Sequence, residues 1–433
     1  MDSAPLLAAD IRSPAAPAGI LVIEDSRTFA TALRQFLEAD TGLPVTTCSC
    51  LKDLDALIAA NPAGFAVAVV DLNLPDAPRG EALDWTVSHA IPSIVFTATF
   101  DLATRERIME REVVDYVLKD NELALPNLVA TVKRALDNRS RRILVVDDMR
   151  TTRKVLARML SIQQYVVVEA GSGVEALQLL ATQPDIELVV SDYHMPDMDG
   201  YELARRIRRD HPEVRIIGVS SSTDRQTSAG FLKAGAHDFL ARPFVLEELQ
   251  CRIASNVETL GRVRQLKDLA ARDYLTGLYN RRHFFEHGRQ LLEDARKGRR
   301  PCSIALLDVD HFKRLNDNYG HEGGDKALSG VAQILERVLG TSGNLLARMG
   351  GEEFAILLPG SDSTRTFDIA EAVRLAIESE PVRVGAEILP MTVSIGVAPI
   401  DRDETLESAL NLADRALYGA KQNGRNQVCA DID

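Results

Sequence analysis

The chain repeats itself, and the repeat limits what its N-terminal part can fold into. Ile20-Leu-Val-Ile-Glu24-Asp25-Ser26 recurs as Ile143-Leu-Val-Val-Asp147-Asp148-Met149. Val67-Ala-Val-Val-Asp71 recurs as Leu188-Val-Val-Ser-Asp192, Ile94-Val-Phe-Thr97 as Ile217-Gly-Val-Ser220, and Tyr116-Val-Leu-Lys119 as Phe239-Leu-Ala-Arg242. Helical stretches such as Phe29–Ala39 and Arg153–Leu160 follow these short β-branched runs. Short apolar strands alternating with helices predict βαβ units and a parallel sheet. Two such units precede a third segment, and 433 residues suit about three domains.

The junctions are also readable. Thr131–Arg142 is polar and basic, a helix end plus linker. Val245–Arg272 has apolar residues in steps of three and four, from Leu246 and Leu249 to Leu266 and Leu269, the pattern of an amphipathic helix or short coiled coil. Its first half is expected to pack on its own domain. Its second half, past Gly261, has less local domain to cover it and is expected to pair with a second protomer. The expected organisation is a flexible leader at 1–18, domains at 19–139 and 142–257, a helical linker at 258–272 and a third domain at 273–433.

Net charge is −13, which argues against a nucleic-acid partner bound through its phosphates. The leader has no basic n-region and no long apolar run, unlike a signal peptide. Nothing approaches the ~18 uninterrupted apolar residues of a membrane span. Five cysteines without zinc-ribbon spacing suit a reducing compartment, so a cytoplasmic location is expected.

In parallel α/β sheets, sites form beyond the carboxyl ends of the strands. The first unit places Glu24 and Asp25 at one strand end, Asp71, Thr97 and Lys119 at three others. Converging carboxylates repel unless a cation sits among them. An Asp can attack phosphorus, and a Lys and a hydroxyl can hold the added oxygens. A lone strand-end Asp is usually a cap or turn residue; five residues of these kinds at four strand ends are a different matter. Both units resemble response-regulator receiver domains, which implies doubly wound, flavodoxin-like α/β folds. The resemblance implies Asp71 as phosphoacceptor, Glu24, Asp25 and Asp71 as metal ligands, Thr97 as switch hydroxyl, Tyr116 as rotating aromatic and Lys119 as phosphate partner. It also implies a sensor histidine kinase as phosphodonor. The second unit offers Asp147, Asp148 and Asp192 as ligands, with Ser220, Phe239 and Arg242 in the switch positions. Arg242 stands where the family has Lys, and a planar fork does not replace a compact ammonium. Asp71 is therefore expected to be the main phosphorylation site, Asp192 a second candidate, and the second domain largely an adaptor.

From Asp273 the pattern changes to α+β on one sheet. A central strand is expected at Ser303–Asp308, helices at Gly324–Leu339, Phe367–Ser379 and Leu406–Lys421, a strand at Met391–Ala398, and a hairpin over Leu345–Leu358 turning on Gly350-Gly351. Three clusters carry chemistry: Asp308-Val-Asp310-His-Phe312-Lys-Arg-Leu-Asn316-Asp317, Gly323-Gly324-Asp325, and Gly350-Gly351-Glu352-Glu353. Paired glycines allow positive φ and leave room for a phosphate at the backbone. Asp308 and the Glu pair are suited to one or two Mg²⁺, which neutralise a triphosphate and activate an attacking hydroxyl. Alone, the Glu pair reads as an exposed acidic hairpin.

Together with Asp273-Tyr-Leu-Thr-Gly-Leu-Tyr-Asn-Arg-Arg282, these clusters resemble a GGDEF-type diguanylate cyclase, a nucleotidyl-cyclase-like domain with a ferredoxin-like palm. The whole chain resembles the PleD-like layout of two receivers and one cyclase. The resemblance implies two GTP condensed into cyclic di-GMP by a homodimer, with Mg²⁺ (or Mn²⁺) as cofactor. It implies Asp308, the Val309 carbonyl, Glu352 and Glu353 as metal ligands, with Asp308 and the two Glu catalytic. It implies Asn316 and Asp325 as guanine readers, Phe312 in the pocket wall, and Lys421 and Arg425 on the phosphates. Asp325 suits guanine because a carboxylate accepts its N1–H and exocyclic amine, whereas adenine offers an acceptor there. Many relatives carry an Arg-x-x-Asp product brake before the Gly pair; Thr341-Ser342-Gly343-Asn344 stands there, so weak feedback inhibition is expected. The alternatives are a catalytically silent GTP-binding or scaffold regulator, and a purine cyclase acting on one nucleotide.

Overall fold

Runs that are apolar at every position make strands that must be covered on both faces. β1 (Gly19–Ile23), β3 (Phe65–Val70) and β4 (Ser93–Thr97) are buried at every residue. With β2 (Val45–Cys48) and β5 (Asp115–Leu118) they form a parallel sheet in the order β2-β1-β3-β4-β5. One face packs Leu21, Ile23 and Val70 on Leu54 and Leu83; the other packs Ile20 and Val22 on Leu33, Leu37, Leu128 and Val132. β6 (Arg142–Val146), β7 (Val166–Ala170), β8 (Ile186–Asp192), β9 (Arg215–Ser220) and β10 (Asp238–Ala241) repeat the order as β7-β6-β8-β9-β10, again parallel. The computed structural model describes residues 19–61, 64–98, 108, 110–120, 122–221, 225–340, 343–384 and 387–430. The leader assigned to 1–18, and Thr341 and Ser342, lie outside the described residues. The chain divides into two compact units, Met1–Gly261 and Arg262–Asp433.

Within the first unit the two sheets are closely joined. The polar stretch before Arg142 is mostly helix: Ala124–Asn138 leaves three residues before β6 begins. Buried Asn138 donates from Nδ2 to the Gln163 carbonyl (2.9 Å), and Gln163 Nε2 donates to the Val114 carbonyl. Arg158 pairs with Glu112 alongside (2.6 Å from Nη2), and Tyr165 is buried nearby.

One helix spans Leu246–Ala271. Leu249, Ile253, Val257 and Leu260 are buried, whereas Leu266 and Leu269 are 66% and 72% exposed. Past Leu260 the apolar residues recur in steps of three. At about 100° per residue each such step lags a full turn by about 60°, so the stripe winds off the face that holds Leu260.

The second unit is built on a mixed sheet of β11 (Tyr279–Asn280), β12 (Cys302–Val309), β13 (Leu345–Gly350), β14 (Glu353–Pro359), β17 (Val393–Pro399) and β18 (Val428–Ala430), in the order β11-β13-β14-β12-β17-β18. The β15 (Val382–Val384) and β16 (Glu387–Leu389) pair stands apart. Side chains alternate along a strand. Ala305, Leu307 and Val309 accordingly join the core under helices Phe312–Leu339 and Ser363–Ser379. Ile304 and Leu306 join the core under helices Arg281–Lys297 and Leu406–Gln422. Burying each large side chain contributes roughly 1.5–3 kcal/mol.

Candidate functional site

Four strand ends of the first sheet meet at one acidic pocket. Glu24 and Asp71 are buried and Asp25 is exposed. Lys119 Nζ donates to Glu24 Oε2 (2.7 Å) and to Asp71 Oδ2 (2.6 Å). The Phe29 and Phe96 rings lie 5.2 and 5.0 Å from the same ammonium. Burial raises the Glu24 carboxyl above its ordinary range, and Lys119 opposes the rise. Among the described residues, one set of three acidic side chains brings ligand oxygens within 4.8 Å of one another: Glu24, Asp25 and Asp71. Oxygen donors gathered this closely fit a hard divalent cation. Thr97, fully buried, ends the neighbouring strand, and its carbonyl accepts the Lys119 N–H (2.9 Å). Tyr116 lies half-buried in β5.

The second sheet repeats the positions with different chemistry. Arg242 Nη2 donates to Asp147 Oδ2 (2.8 Å) and Nη1 to Asp192 Oδ1 (3.0 Å). Asp192 Oδ2 accepts the His194 N–H (2.9 Å), and Asp147 Oδ1 accepts that of Met149 (2.8 Å). Burial raises the Asp192 carboxyl, with Arg242 opposing. Asp148 is exposed, and the oxygens of Asp147, Asp148 and Asp192 do not converge as the first set does. Ser220 is buried at its strand end, and Phe239 stacks at a tilt on Phe231.

In the mixed sheet, antiparallel register sets Asp308 directly opposite Glu353. The Val309 N–H donates to the Glu352 carbonyl (3.3 Å). Gly350 and Gly351, at φ +140° and +53°, carry the chain round the hairpin in conformations that L side chains resist. Asp308 points to the face covered by helix Leu406–Gln422, and Lys421 of that helix pairs with its Oδ2 (2.8 Å). Burial raises the Asp308 carboxyl; Lys421 opposes this, and Glu352 and Glu353 add to it. The three carboxylates do not converge within 4.8 Å. An all-oxygen donor set that includes a buried aspartate held by a lysine fits a divalent cation in chemistry.

Phe312, Asn316, Gly324 and Asp325 come together on helix Phe312–Leu339, which kinks at Gly320 (φ +71°). A Cβ on Gly324 would lie 2.0 Å from Asn316 Oδ1 and 3.2 Å from Phe312 Cζ, so glycine makes the room these two side chains occupy. Asp325 is exposed beside them. Arg425 is exposed in the turn after the last helix, at φ +65°. Asn344 donates to the Leu339 carbonyl (3.3 Å).

Three supporting residues were not assigned a role in the sequence. Asp310 accepts from Thr392 Oγ1 (2.8 Å), Ser394 Oγ (2.7 Å) and the Asn426 N–H (3.0 Å), which ties the Arg425 turn to the end of β12. Arg374 donates to Asn426 Oδ1 (2.7 Å) while Glu371 and Glu378 grip it and raise its pKa. Its visible signal was an arginine flanked by glutamates at helical spacing. Arg348 donates to Asp273 Oδ1 (3.1 Å) and, from Nε and Nη2, to the Gly351 carbonyl (2.9 and 2.8 Å). It thereby joins the opening of the domain to the glycine turn.

Comparison with known proteins gives a consistent family. "Response regulator receiver domain" matches residues 20–133 and 143–254, and "Diguanylate cyclase, GGDEF domain" matches 270–427. Response regulator PleD of Caulobacter vibrioides is 31% identical over 402 residues, covering 88% of this chain and 85% of its own. Diguanylate cyclase A of Treponema denticola is 30% identical over 241 residues, covering 52% of this chain and 64% of its own. A solved structure described as a probable two-component system response regulator/GGDEF domain protein is 40% identical, covers 56% of this chain and 99% of its own, and has a TM-score of 0.51. No helix among the described residues is long and apolar enough to cross a membrane.

Proposed function

Because this chain belongs to the response regulators that carry two receiver domains and a GGDEF diguanylate cyclase, we propose that it condenses two GTP into cyclic di-GMP under control of phosphorylation at Asp71. The observation that carries the reading is the hairpin register: Asp308 opposite Glu353, with Lys421 on Asp308.

The residues divide the work. Asp325 and Asn316 take the guanine edge beside Phe312. Asp308, the Val309 carbonyl, Glu352 and Glu353 would hold magnesium or manganese, which when bound neutralises triphosphate charge and activates the 3′-hydroxyl. One of the two Glu accepts the hydroxyl proton. Lys421 and Arg425 take the phosphates, so the triphosphate competes with Asp308 for the Lys421 ammonium. Each 3′-oxygen attacks the α-phosphorus of the GTP held opposite, and two pyrophosphates leave. One half-site cannot close a two-fold ring, so the active species pairs two cyclase domains. The exposed Leu266 and Leu269 support pairing through the helix Leu246–Ala271. Glu24, Asp25 and Asp71 would hold the receiver's cation, with a histidine kinase as phosphodonor and Thr97, Tyr116 and Lys119 as the switch.

Chromatography of products after incubation with GTP and Mg²⁺ tests the activity. Cyclic di-GMP that disappears in Asp308→Asn is expected; bound but unreacted GTP would mean a silent relay. Beryllofluoride, a mimic of the acyl phosphate, is expected to raise both dimer fraction and turnover. If neither moves, phosphorylation control is wrong.

A further inference from the structure

The two acidic pockets hold similar carboxylates but different cations, and the difference is geometric. Lys119 presents one nitrogen, and Glu24 and Asp71 both close on it at 2.7 and 2.6 Å. A point cation draws its partners together, and here the three acidic oxygens converge. Arg242 presents two nitrogens, each held by a different carboxylate, Asp147 on Nη2 and Asp192 on Nη1. A guanidinium is rigid, planar and permanently charged, so it spaces its two partners at the width of the fork. The convergence seen in the first pocket is accordingly absent from the second.

We propose that Arg242 is a built-in cation that fills the second receiver's acidic pocket, so that this receiver takes neither a divalent metal nor a phosphoryl group at Asp192. A metal entering there must break two charge-assisted hydrogen bonds at once and then share the pocket with a cation that cannot lose its proton. Arg242 is largely shielded, with a side chain 22% exposed, and Asp147 beneath it is 1% exposed. The remaining oxygen of each carboxylate accepts a backbone N–H, from Met149 and from His194, as those of Glu24 and Asp71 do from Ser26 and Asn73, so the fork itself sets the second pocket apart. The second receiver therefore keeps one charge state while the first one switches. The carboxylate at Asp192 serves as the arginine's anchor.

This inference rests on reading the first pocket as the phosphoacceptor site, and the test separates the two. The full-length chain is incubated with Mg²⁺ and acetyl phosphate and resolved on a phosphate-affinity gel. The wild type is expected to shift, and Asp71→Asn to stay unshifted. Adding Arg242→Lys to Asp71→Asn should restore a hydroxylamine-labile shift, and adding Asp192→Asn should abolish it again. Fluorine NMR of bound beryllofluoride should count about one site per wild-type chain and about two in Arg242→Lys, since a point ammonium leaves the carboxylates to a metal. A wild type that never shifts overturns the reading of Asp71 as phosphoacceptor. A shift in Asp71→Asn that depends on Asp192 overturns only this one, as does a folded Arg242→Lys chain that gains nothing. The Asp71→Asn arm leaves Arg242 untouched, so the proposal stays refutable where the lysine variant unfolds.

Discussion

Gly396→Ala is expected to destabilise the cyclase unit and loosen its grip on GTP together. Gly396 sits in β17, paired with Leu306 of the central strand, under the helix Leu406–Gln422. A Cβ built there would lie 2.0 Å from the Ala413 carbonyl oxygen, 2.3 Å from Leu417 N and 2.8 Å from Leu417 Cα. All three are backbone atoms, so no rotamer change relieves the overlap. The helix must retreat by about 1 Å or more to restore ordinary contact distances. Overpacking costs about 1–3 kcal/mol where side chains can adjust; rigid neighbours put this case at about 3 kcal/mol or above. For a unit of this size each kcal/mol moves Tm by about 2–4 °C, so a fall of roughly 6–12 °C follows. The same helix carries Lys421, whose 2.8 Å contact with Asp308 Oδ2 would lengthen, and the KM for GTP should rise.

Gly419→Ala is the control. It lies in the same helix, and a Cβ there meets nothing within 4 Å. Alanine in a helix interior gains about 0.5–1 kcal/mol over glycine, so Tm should hold or rise slightly. Calorimetry of the full chain, following the transition that GTP and Mg²⁺ raise, reads both variants. Indistinguishable transitions for the two would refute the close-packing argument.

Three further outcomes are expected. Gly324→Ala pushes a methyl into Asn316 Oδ1, a movable side-chain end, so steady-state kinetics should give a KM for GTP about ten-fold higher with Tm nearly unchanged. Arg348→Lys keeps a charge for Asp273 but loses the fork that also holds the Gly351 carbonyl, and kcat should fall by about ten-fold at unchanged KM. Burial pushes the Tyr165 hydroxyl up to about 12. Its neutral form is favoured in the folded state, so stability is fully present below the unfolded value near 10 and is lost as pH rises towards 12. The loss is on the order of 3 kcal/mol, and denaturant midpoints across that window check it; a flat profile would count against it.

Much of this was legible because parallel strands end where their apolar runs end. Glu24, Asp71, Thr97 and Lys119 each closed such a run; Glu24, Asp71 and Lys119 meet in one pocket, and the Thr97 carbonyl holds the Lys119 N–H beside them. The hairpin was legible through Gly350-Gly351, since both glycines take the positive φ that paired glycines allow. On the long helix Leu260 is buried and Leu266 is exposed. Element ends drifted by a few residues; the helix expected from Gly324 starts just after Gly320, whose non-helical backbone (φ +71°) separates it from the turns that begin at Phe312. Hidden from the sequence were contacts between residues far apart in the chain. Nothing local says that Lys421 reaches Asp308 or that Asn426 hangs from Asp310. The non-conservative Arg242 was visible, but that its fork spans Asp147 and Asp192 was not.

The winding stripe on the helix Leu246–Ala271 turns a count of residues into an angle. Three steps of three residues separate Leu260 from Leu269, and each falls back by about 60°, so the two leucines look in nearly opposite directions. The receiver's hold and the bare leucines therefore never compete for the same side of the rod. One residue added between them would turn the bare side by about 100°, and seven would nearly return it to its starting bearing. A lengthening of this segment that keeps the bearing is expected to add about seven, eleven or eighteen residues.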